Sequence, residues 1–136
     1  MEADQKCFIC GPDNPIGLKV AFRINDRGNQ AEATISLSEL YQGWQGVVHG
    51  GIISALLDEA AIYACRPVSM HGVTAALNIR FRQPVSTDTE VCVMAEVISI
   101  KRKIAHVSAR LLCNSEVMAE AEVKVKLLDE IGEVFL

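Results

Sequence analysis

The feature that most constrains the fold of this chain is an apolar segment that begins at Ile52 and ends at Arg66 and Pro67. The residue before a proline is disfavoured in the α conformation, so a helix through this segment ends at about Cys65. Its apolar residues are spread around the helix and not along one stripe: Ile52, Ile53, Ala55, Leu56, Leu57, Ala60, Ala61, Ile62 and Ala64. A helix that is apolar nearly all round is buried. The segment is too short to span a bilayer, so we expect a buried helix that other elements surround.

Alternating polar and apolar residues on both sides of this helix predict β-strands. Two precede the helix and four follow it, at Leu18–Ile24, Gln30–Leu37, Val73–Val85, Glu90–Ile100, Ile104–Cys113 and Glu116–Leu127. Residues typical of turns separate them at 25–29, 86–89, 101–103 and 114–115. Two strands, one long helix and four strands are typical of an α+β fold with an antiparallel sheet. We therefore expect the sheet to curl around the helix.

Length and composition predict one globular domain over residues 1–136. The chain is 50% hydrophobic and 22% charged, which is close to the globular average. Its net charge is −4 and its longest basic run is Lys101–Lys103, so a nucleic-acid partner is not expected. We expect neither a signal peptide nor a membrane anchor. Five cysteines without a secretory signal favour reduced thiols and a cytoplasmic protein.

Gly50 and Gly51 lie at the predicted start of the helix, directly after His49. Unpaired backbone N–H groups and a partial positive charge occur at helix N-termini. Glycine lets a ligand oxygen approach those N–H groups, which suits a polarised carbonyl or an oxyanion. One such donor lowers a reaction barrier by about 3–4 kcal/mol. The alternative is a glycine-rich helix start that binds nothing.

Asp58 lies inside the apolar run, where a carboxylate is costly unless it is paired or functional. Glu59 is turned about 100° further round the helix, and we expect it to be the solvated residue of the two. Asp58 follows Gly50 by eight residues, or about 12 Å along the axis at ~1.5 Å per residue. The two cannot act on one atom from the same helix. If both are catalytic, Gly50 of one subunit meets Asp58 of another.

A resemblance to a known family rests on these residues. Gln42-Gly43, then Gly46-Val47-Val48-His49-Gly50-Gly51, and Asp58 at this spacing resemble the hotdog-fold acyl-CoA thioesterases, most closely the phenylacetate-degradation type. The segment from Thr74 to Ile79 resembles the strand that follows the helix in that family, and the likeness covers most of the chain. It implies a hotdog fold, in which a curved antiparallel sheet wraps one long central helix, and a homodimer or homotetramer.

The resemblance also implies roles for individual residues. Asp58 corresponds to the general base or nucleophile, and the N–H of Gly50 to the donor that polarises the thioester carbonyl. His49 helps to orient the carbonyl, and Thr74 holds the attacking water beside Asp58. An amide side chain often precedes the glycine motif, and Gln42 is the first candidate for it, with Gln45 the second. No metal or other cofactor is expected, since coenzyme A is part of the substrate.

Each of these residues also has a purely structural interpretation. His49 could satisfy loop backbone groups, and Thr74 could be an ordinary β-branched strand residue. Three arginines are candidates for binding the phosphates of coenzyme A: Arg80 and Arg82, which share one face of a predicted strand, and Arg102 in a predicted turn. A solvated surface is the alternative for all three.

Cys7 and Cys10 form a C-x-x-C-G motif within a short N-terminal segment, about residues 1–17. Three interpretations stay open: a structural turn, half of a metal site shared across a subunit interface, and a redox pair. Pro12 and Pro15 make the helix that a redox motif requires improbable. Cys65, Cys92 and Cys113 are isolated within apolar segments and are interpreted as core cysteines.

The sequence thus predicts an acyl-CoA thioesterase, with a non-catalytic acyl-CoA-binding hotdog module as the alternative. The module would keep the Gly50 donor but would not need Asp58. Hotdog hydratases and dehydratases fit less well, because they require a catalytic His paired with a carboxylate in a different local motif. The sequence does not define the acyl chain, which depends on how the assembled subunits pack.

Overall fold

The computed structural model describes residues 5–25 and 27–128 of the chain. Its elements in chain order are the strands β1 and β2, a short 3-10 helix, the helix α1, and the strands β3 to β6. Their bounds are β1 Arg23–Asn25, β2 Gln30–Ser36, the 3-10 helix Glu39–Tyr41, α1 Gly50–Cys65, β3 His71–Phe81, β4 Glu90–Lys101, β5 Ile104–Cys113 and β6 Glu116–Leu128.

The six strands form one sheet in the order β1-β2-β4-β5-β6-β3, and every neighbouring pair is antiparallel. Helix α1 contacts all six strands, which requires the sheet to curve around it. The inward residues of the long strands form the core with the helix, and most of them are alanine, valine or leucine. The predicted α+β architecture, a curved antiparallel sheet wrapped around one long helix, is confirmed.

Helix α1 ends at Cys65, the predicted position, although Arg66 itself keeps an α conformation with φ −57° and ψ −37°. The helix is not buried on every side. The residues that the sheet covers are Ile53, Leu56, Leu57, Ala60, Ala61, Ala64 and Cys65. Ile52, Ala55 and Ile62 are only half-buried and pack at the margin of this core. One sheet can cover only one side of a helix, so the opposite side is left for the N-terminal segment or another molecule.

The first predicted strand is wrong in its extent. Only Arg23–Asn25 pairs with β2, whereas Leu18 and Val20 bond back to the N-terminal turn. The N–H groups of Leu18 and Val20 each donate at 2.9 Å, to the carbonyl oxygens of Phe8 and Ile9 respectively. These local bonds use the backbone groups that a sheet would need. The predicted turn at 25–29 contains Asp26, which lies outside the described residues, as do residues 1–4 of the predicted N-terminal segment.

The strand after the helix also differs from its predicted bounds. It begins at His71 and ends at Phe81, so the expected strand from Val73 to Val85 is shifted toward the helix. Pro84 has no N–H to donate and lies in the segment that follows the strand. Strand β3 is the last strand of the sheet, next to β6 only. Residues 75–78 at its centre are all exposed, so this edge is uncovered in one protomer.

Within the described residues, no helix is long and apolar enough to cross a membrane.

Candidate active site

The start of α1 is capped by the side chain of His49. Its Nδ1 accepts a hydrogen bond from the N–H of Gly51 at 2.8 Å. A neutral imidazole that accepts at Nδ1 carries its proton on Nε2. The N–H of Gly51 is therefore occupied, whereas the N–H of Gly50 has no acceptor among the described residues. The structure thus leaves Gly50 as the backbone donor that a ligand oxygen can reach.

The loop that leads into α1 is held by its own polar groups. The side-chain Oε1 of Gln42 accepts from the N–H of Gly46 at 2.9 Å, and Gly46 has a φ of 77°, which glycine adopts without strain. The N–H of His49 donates to the carbonyl of Tyr41 at 2.9 Å. The Gln42 carbonyl group is therefore used inside the loop, which leaves its amide NH2 for a ligand. Gln45 is exposed.

An open cleft of about 760 Å³ lies between this loop and the residues that follow β3. Gly50, His49, Trp44, Phe81 and Arg82 all line it. A Cβ on Gly50 would lie 3.5 Å from Cε1 of Phe81, so the missing side chain keeps the space beside the free N–H open. Trp44 is 86% exposed and Phe81 is 55% exposed, which gives the cleft a large uncovered apolar surface.

The sequence did not single out Phe81 as a site residue. The signal that could have found it is its place at the end of the predicted strand, next to Arg82. A second groove, of about 590 Å³, crosses β1, β2, β4 and β5 and contains none of the predicted site residues.

Asp58 and Thr74 form a pair at the middle of α1. The hydroxyl of Thr74 donates to Oδ1 of Asp58 at 2.5 Å, and both residues are half-buried. A β-bulge in β3 makes this contact possible. Thr74 pairs with Val125 and Ala76 with Lys124, so Ala75 is the extra residue. The family resemblance implied that Thr74 holds a water beside Asp58. The structure brings the two side chains into direct contact, and their catalytic roles stay a prediction.

Within one protomer the Asp58–Thr74 pair is separate from the Gly50 cleft. Gly50 lies beside Phe81, the last residue of β3, whereas Asp58 contacts Thr74 near the first. Along the helix the two positions are about 12 Å apart, from the rise of ~1.5 Å per residue. One protomer therefore does not bring the two halves of the predicted site onto one atom.

The three candidate arginines are divided between these two ends of the sheet. Arg82 lines the cleft and its guanidinium forms an ion pair with Glu120 at 2.5 Å. Arg80 lies opposite Glu120 in the register of β3 and β6. The hydrogen bond from Arg82 holds the pKa of the Glu120 carboxyl below its usual value. Arg102 lies in the turn between β4 and β5, which is at the Thr74 end of the sheet.

The N-terminal segment carries a further cluster of polar side chains against α1. Sγ of Cys7 donates to Oε1 of Glu59 at 3.7 Å, and Cys10 contacts both Glu59 and the hydroxyl of Tyr63. The expectation that Glu59 is solvated is wrong, because the N-terminal turn covers it. Burial raises the pKa of the Glu59 carboxyl and raises that of the Cys10 thiol to about 12. Desolvation likewise raises the pKa of Tyr63 to about 12.

The sequence contained a partial signal for this cluster. Glu59 lies within the apolar run and Tyr63 follows it by one helical turn, so both share one face of α1. That spacing indicates a face of the helix, but it does not indicate which segment covers it.

Comparison with protein-family models matches residues 45–124 to the model described as the thioesterase superfamily. This range is more than half of the chain. The chain belongs to the thioesterase superfamily. The match includes His49, Gly50, Asp58, Thr74 and the three candidate arginines, whereas Gln42, Cys7 and Cys10 lie outside it.

Solved structures share the fold of this thioesterase-superfamily chain. The thioesterase superfamily protein RHA08564 superposes with a TM-score of 0.82 at 22% identity, over 91% of this chain and 61% of that one. The PaaI protein of the E. coli phenylacetic acid degradation operon gives 0.75 at 20% identity, over 82% and 80%. A hypothetical thioesterase from Streptococcus pneumoniae TIGR4, solved with coenzyme A, gives 0.74 at 15% identity, over 80% and 85%. The predicted hotdog fold is thereby confirmed.

One curated relative of this thioesterase-superfamily chain is MIOREX complex component 3 of Saccharomyces cerevisiae. It is 43% identical over 58 residues, which are 41% of this chain and 22% of the yeast protein. The chain thus matches about a fifth of the length of that relative.

Proposed function

We propose that this chain hydrolyses an acyl-CoA thioester to a free acid and coenzyme A in a site that two protomers share. The observation that carries the proposal is the half-buried Asp58, whose carboxylate accepts a hydrogen bond from the hydroxyl of Thr74. A half-buried carboxylate beside a hydroxyl is suited to activate a water molecule.

The geometry of β3 supports the shared site. It is the edge strand of the sheet, and residues 75–78 at its centre are exposed, including Leu77 at 38%. If two copies of β3 pair antiparallel about a two-fold axis near these residues, the Phe81 end of one strand lies beside the Thr74 end of the other. That pairing brings Gly50 of one protomer toward Asp58 of its partner. It accounts for two half-sites that are separate in one protomer.

The chemistry then follows from the groups at this site. Asp58 takes a proton from a water that the Thr74 oxygen positions, and the hydroxide forms a bond to the thioester carbonyl carbon. The partner's Gly50 N–H stabilises the oxyanion, as the uncovered donor at a helix N-terminus. When the oxyanion collapses, the carbon–sulfur bond breaks and the coenzyme A thiolate leaves and takes up a proton. In the nucleophilic variant, Asp58 itself attacks the carbonyl, the carbon–sulfur bond breaks as the coenzyme A thiolate leaves, and water then hydrolyses the mixed anhydride.

Positively charged residues flank both ends of the proposed site. Arg82 lines the Gly50 cleft with Arg80 nearby, and Arg102 belongs to the Asp58 end of the sheet. Dimerisation would bring Arg102 of one protomer toward Arg82 of its partner. These guanidinium groups are our candidates to bind the phosphates of coenzyme A. The superposable coenzyme A complex from Streptococcus pneumoniae supports this choice of carrier. For the compartment, we propose the cytoplasm.

The first experiment measures thiol release from short, long and aromatic acyl-CoAs by the wild type and Asp58→Ala. Glu122→Gln removes an exposed carboxylate from the outer surface of β6 and serves as the matched control. We expect the Asp58 variant to lose at least about 100-fold in kcat, while the control keeps full activity. The same panel names the preferred acyl chain.

A second candidate function is the non-catalytic acyl-CoA-binding module. The free Gly50 N–H and the apolar cleft favour it, because neither requires a base. Saturable binding of an acyl-CoA without turnover of any panel member would establish the module and exclude the hydrolase.

A further inference from the structure

The N-terminal turn places two thiols side by side. The N–H of Cys10 donates to Sγ of Cys7 at 3.4 Å, and the N–H of Gly11 donates to the Cys7 carbonyl at 2.9 Å. A Cβ on Gly11 would lie 2.4 Å from the backbone nitrogen of Cys7, so only glycine fits this turn. The turn can therefore direct both sulfur atoms at one metal ion.

Glu59 of α1 supplies a third ligand atom to the two thiols. Sγ of Cys7 is 3.7 Å from Oε1 of Glu59, and the ligand atoms of Cys7, Cys10 and Glu59 all lie within 4.8 Å of one another. In a tetrahedral zinc site with bonds of about 2.3 Å to sulfur and 2.0 Å to oxygen, sulfur and oxygen are about 3.5 Å apart. The observed spacing therefore needs only small side-chain rotations to accept a zinc ion.

We propose that Cys7, Cys10 and Glu59 bind a zinc ion that fastens the N-terminal turn to α1. Two thiolates with one carboxylate form a ligand set that zinc accepts, whereas magnesium and calcium require oxygen ligands. Within residues 5–25 and 27–128, no fourth His, Cys, Asp or Glu completes the cluster. Water fills the fourth position. The site is distinct from the proposed hydrolytic site, and metal binding there does not require thioesterase activity.

The surroundings of the cluster suit a metal with anionic ligands. Tyr63 contacts Cys10 through its hydroxyl, and the guanidinium carbon of Arg66 lies 3.7 Å from the centre of the Tyr63 ring. Two thiolates and one carboxylate exceed the charge of one Zn²⁺ by one, and Arg66 offsets that excess. The Tyr63 hydroxyl can donate a hydrogen bond to a metal-bound thiolate and so orient it.

The structure also separates this site from two of the three interpretations of the C-x-x-C motif, the redox pair and the metal shared across a subunit interface. A redox pair is found at the first turn of a helix, whereas Cys7 and Cys10 lie in turns that no helix follows directly. A metal site shared across a subunit interface needs ligands from a partner, whereas Glu59 comes from the same chain. The proposed metal therefore joins two segments of one protomer. Because Glu59 directly follows Asp58, the metal would also fix the rotation of that turn of α1.

The test is a metal measurement on the full chain, purified with a reductant and without chelators. We expect about one zinc ion per chain by elemental analysis, restored by Zn²⁺ after removal with a chelator. Loading with Co²⁺ in place of zinc should produce a thiolate-to-cobalt charge-transfer band. Loss of the metal should lower the Tm by several degrees, because metal binds only the folded form.

Variants assign the ligands. Cys7→Ser and Cys10→Ser should lose the cobalt band, and Glu59→Gln should weaken zinc affinity at least about tenfold. Cys92→Ser and Cys113→Ser change half-buried cysteines outside the N-terminal cluster. These two variants should keep both the cobalt band and the zinc affinity. Circular dichroism reports whether each variant folds, and the wild-type cobalt spectrum tests the site even if a variant does not fold.

Two results would overturn the proposal. One is a reduced, folded wild type that takes up no zinc or cobalt, which leaves the cluster as thiols hydrogen-bonded to a carboxylate. The other is a Cys92→Ser variant that loses the bound metal as completely as the Cys7→Ser variant does.

Discussion

The hydroxyl of Thr74 donates to Oδ1 of Asp58 at 2.5 Å, from a strand to a helix sixteen residues earlier in the chain. A regular strand would not allow this contact. In a regular β3, strict alternation would place the Thr74 side chain on the same face of the strand as Arg80 and on the opposite face from Phe81. The bulge at Ala75 reverses the alternation, so Thr74 and Leu77 both pair with inward residues of β6, Val125 and Val123. β-bulges recur next to active sites because they redirect one side chain in this way.

Thr74 can be tested with two substitutions of different chemistry. We expect Thr74→Val, which keeps the shape but removes the hydroxyl, to lower kcat by about 10- to 100-fold, because the water loses its second contact. Thr74→Ser keeps the hydroxyl and should retain most of the activity. Initial rates with the best acyl-CoA, together with the Tm of each variant, make the comparison. Equal activity in the two variants would rule out a role for the hydroxyl.

Gly50 and Gly51 should respond differently to alanine. A Cβ on Gly50 meets only the ring of Phe81, at 3.5 Å, so Gly50→Ala should fold with nearly unchanged stability. It should nevertheless lower kcat/KM at least about tenfold, because the methyl group obstructs the approach to the free N–H. A Cβ on Gly51 would lie 3.0 Å from Nδ1 of His49, so Gly51→Ala should disturb the helix cap.

The cost of disturbing that cap is about 0.5–2 kcal/mol in the free energy of unfolding. Urea denaturation and steady-state kinetics on both variants separate the two effects. A Gly50→Ala protein with wild-type kcat/KM would remove the backbone donor from the mechanism.

The edge of β3 provides a test of the shared site. We expect Leu77→Asp to convert the proposed dimer into a monomer, because a carboxylate would be desolvated at the centre of the β3 pairing. Activity should fall together with assembly, since each site takes Gly50 from one protomer and Asp58 from the other. Ile98→Asp is the matched control, since Ile98 is 64% exposed and lies on β4, away from this edge. Sedimentation gives the mass, and a fully active Leu77→Asp monomer would refute the two-protomer site.

The buried thiol of Cys65 should make the free energy of unfolding depend on pH in the alkaline range. Its side chain is fully buried, and desolvation raises the pKa of the thiol from the ordinary value of 9.0 to about 11. Because the folded-state pKa is the higher one, the stabilisation is fully present below pH 9 and is lost as the pH rises through about 11. The free energy of unfolding should therefore fall more steeply over this range in the wild type than in Cys65→Ala. Parallel slopes for the two proteins would show that the thiol does not ionise differently on folding.

The local pattern of the sequence was sufficient for most of the architecture. The apolar run predicted α1, which ends at Cys65 near Pro67, a residue that has no N–H to continue the helical hydrogen bonds. The alternation predicted the four strands after it, and β5 has the predicted bounds of Ile104–Cys113, whereas β3 begins and ends earlier than predicted. These features depend on residues that are close in the chain, where periodicity and turn residues act directly. The glycines at the helix start and the isolated Asp58 were likewise visible as residue types in an unusual local setting.

Contacts between distant segments decided what the pattern could not. The stretch from Leu18 to Phe22 alternates like a strand, yet Leu18 and Val20 bond to the N-terminal turn because that turn presents carbonyl groups to them. From the sequence Glu59 resembles a solvated residue, whereas in the structure the turn that contains Cys7 and Cys10 covers it. Thr74 reaches Asp58 only because β3 bulges against β6. The sequence alone therefore determined the elements and the candidate residues, since both depend on neighbours in the chain. The tertiary structure decided which side chains meet, because a single extra residue in a strand changes the face that every later residue occupies.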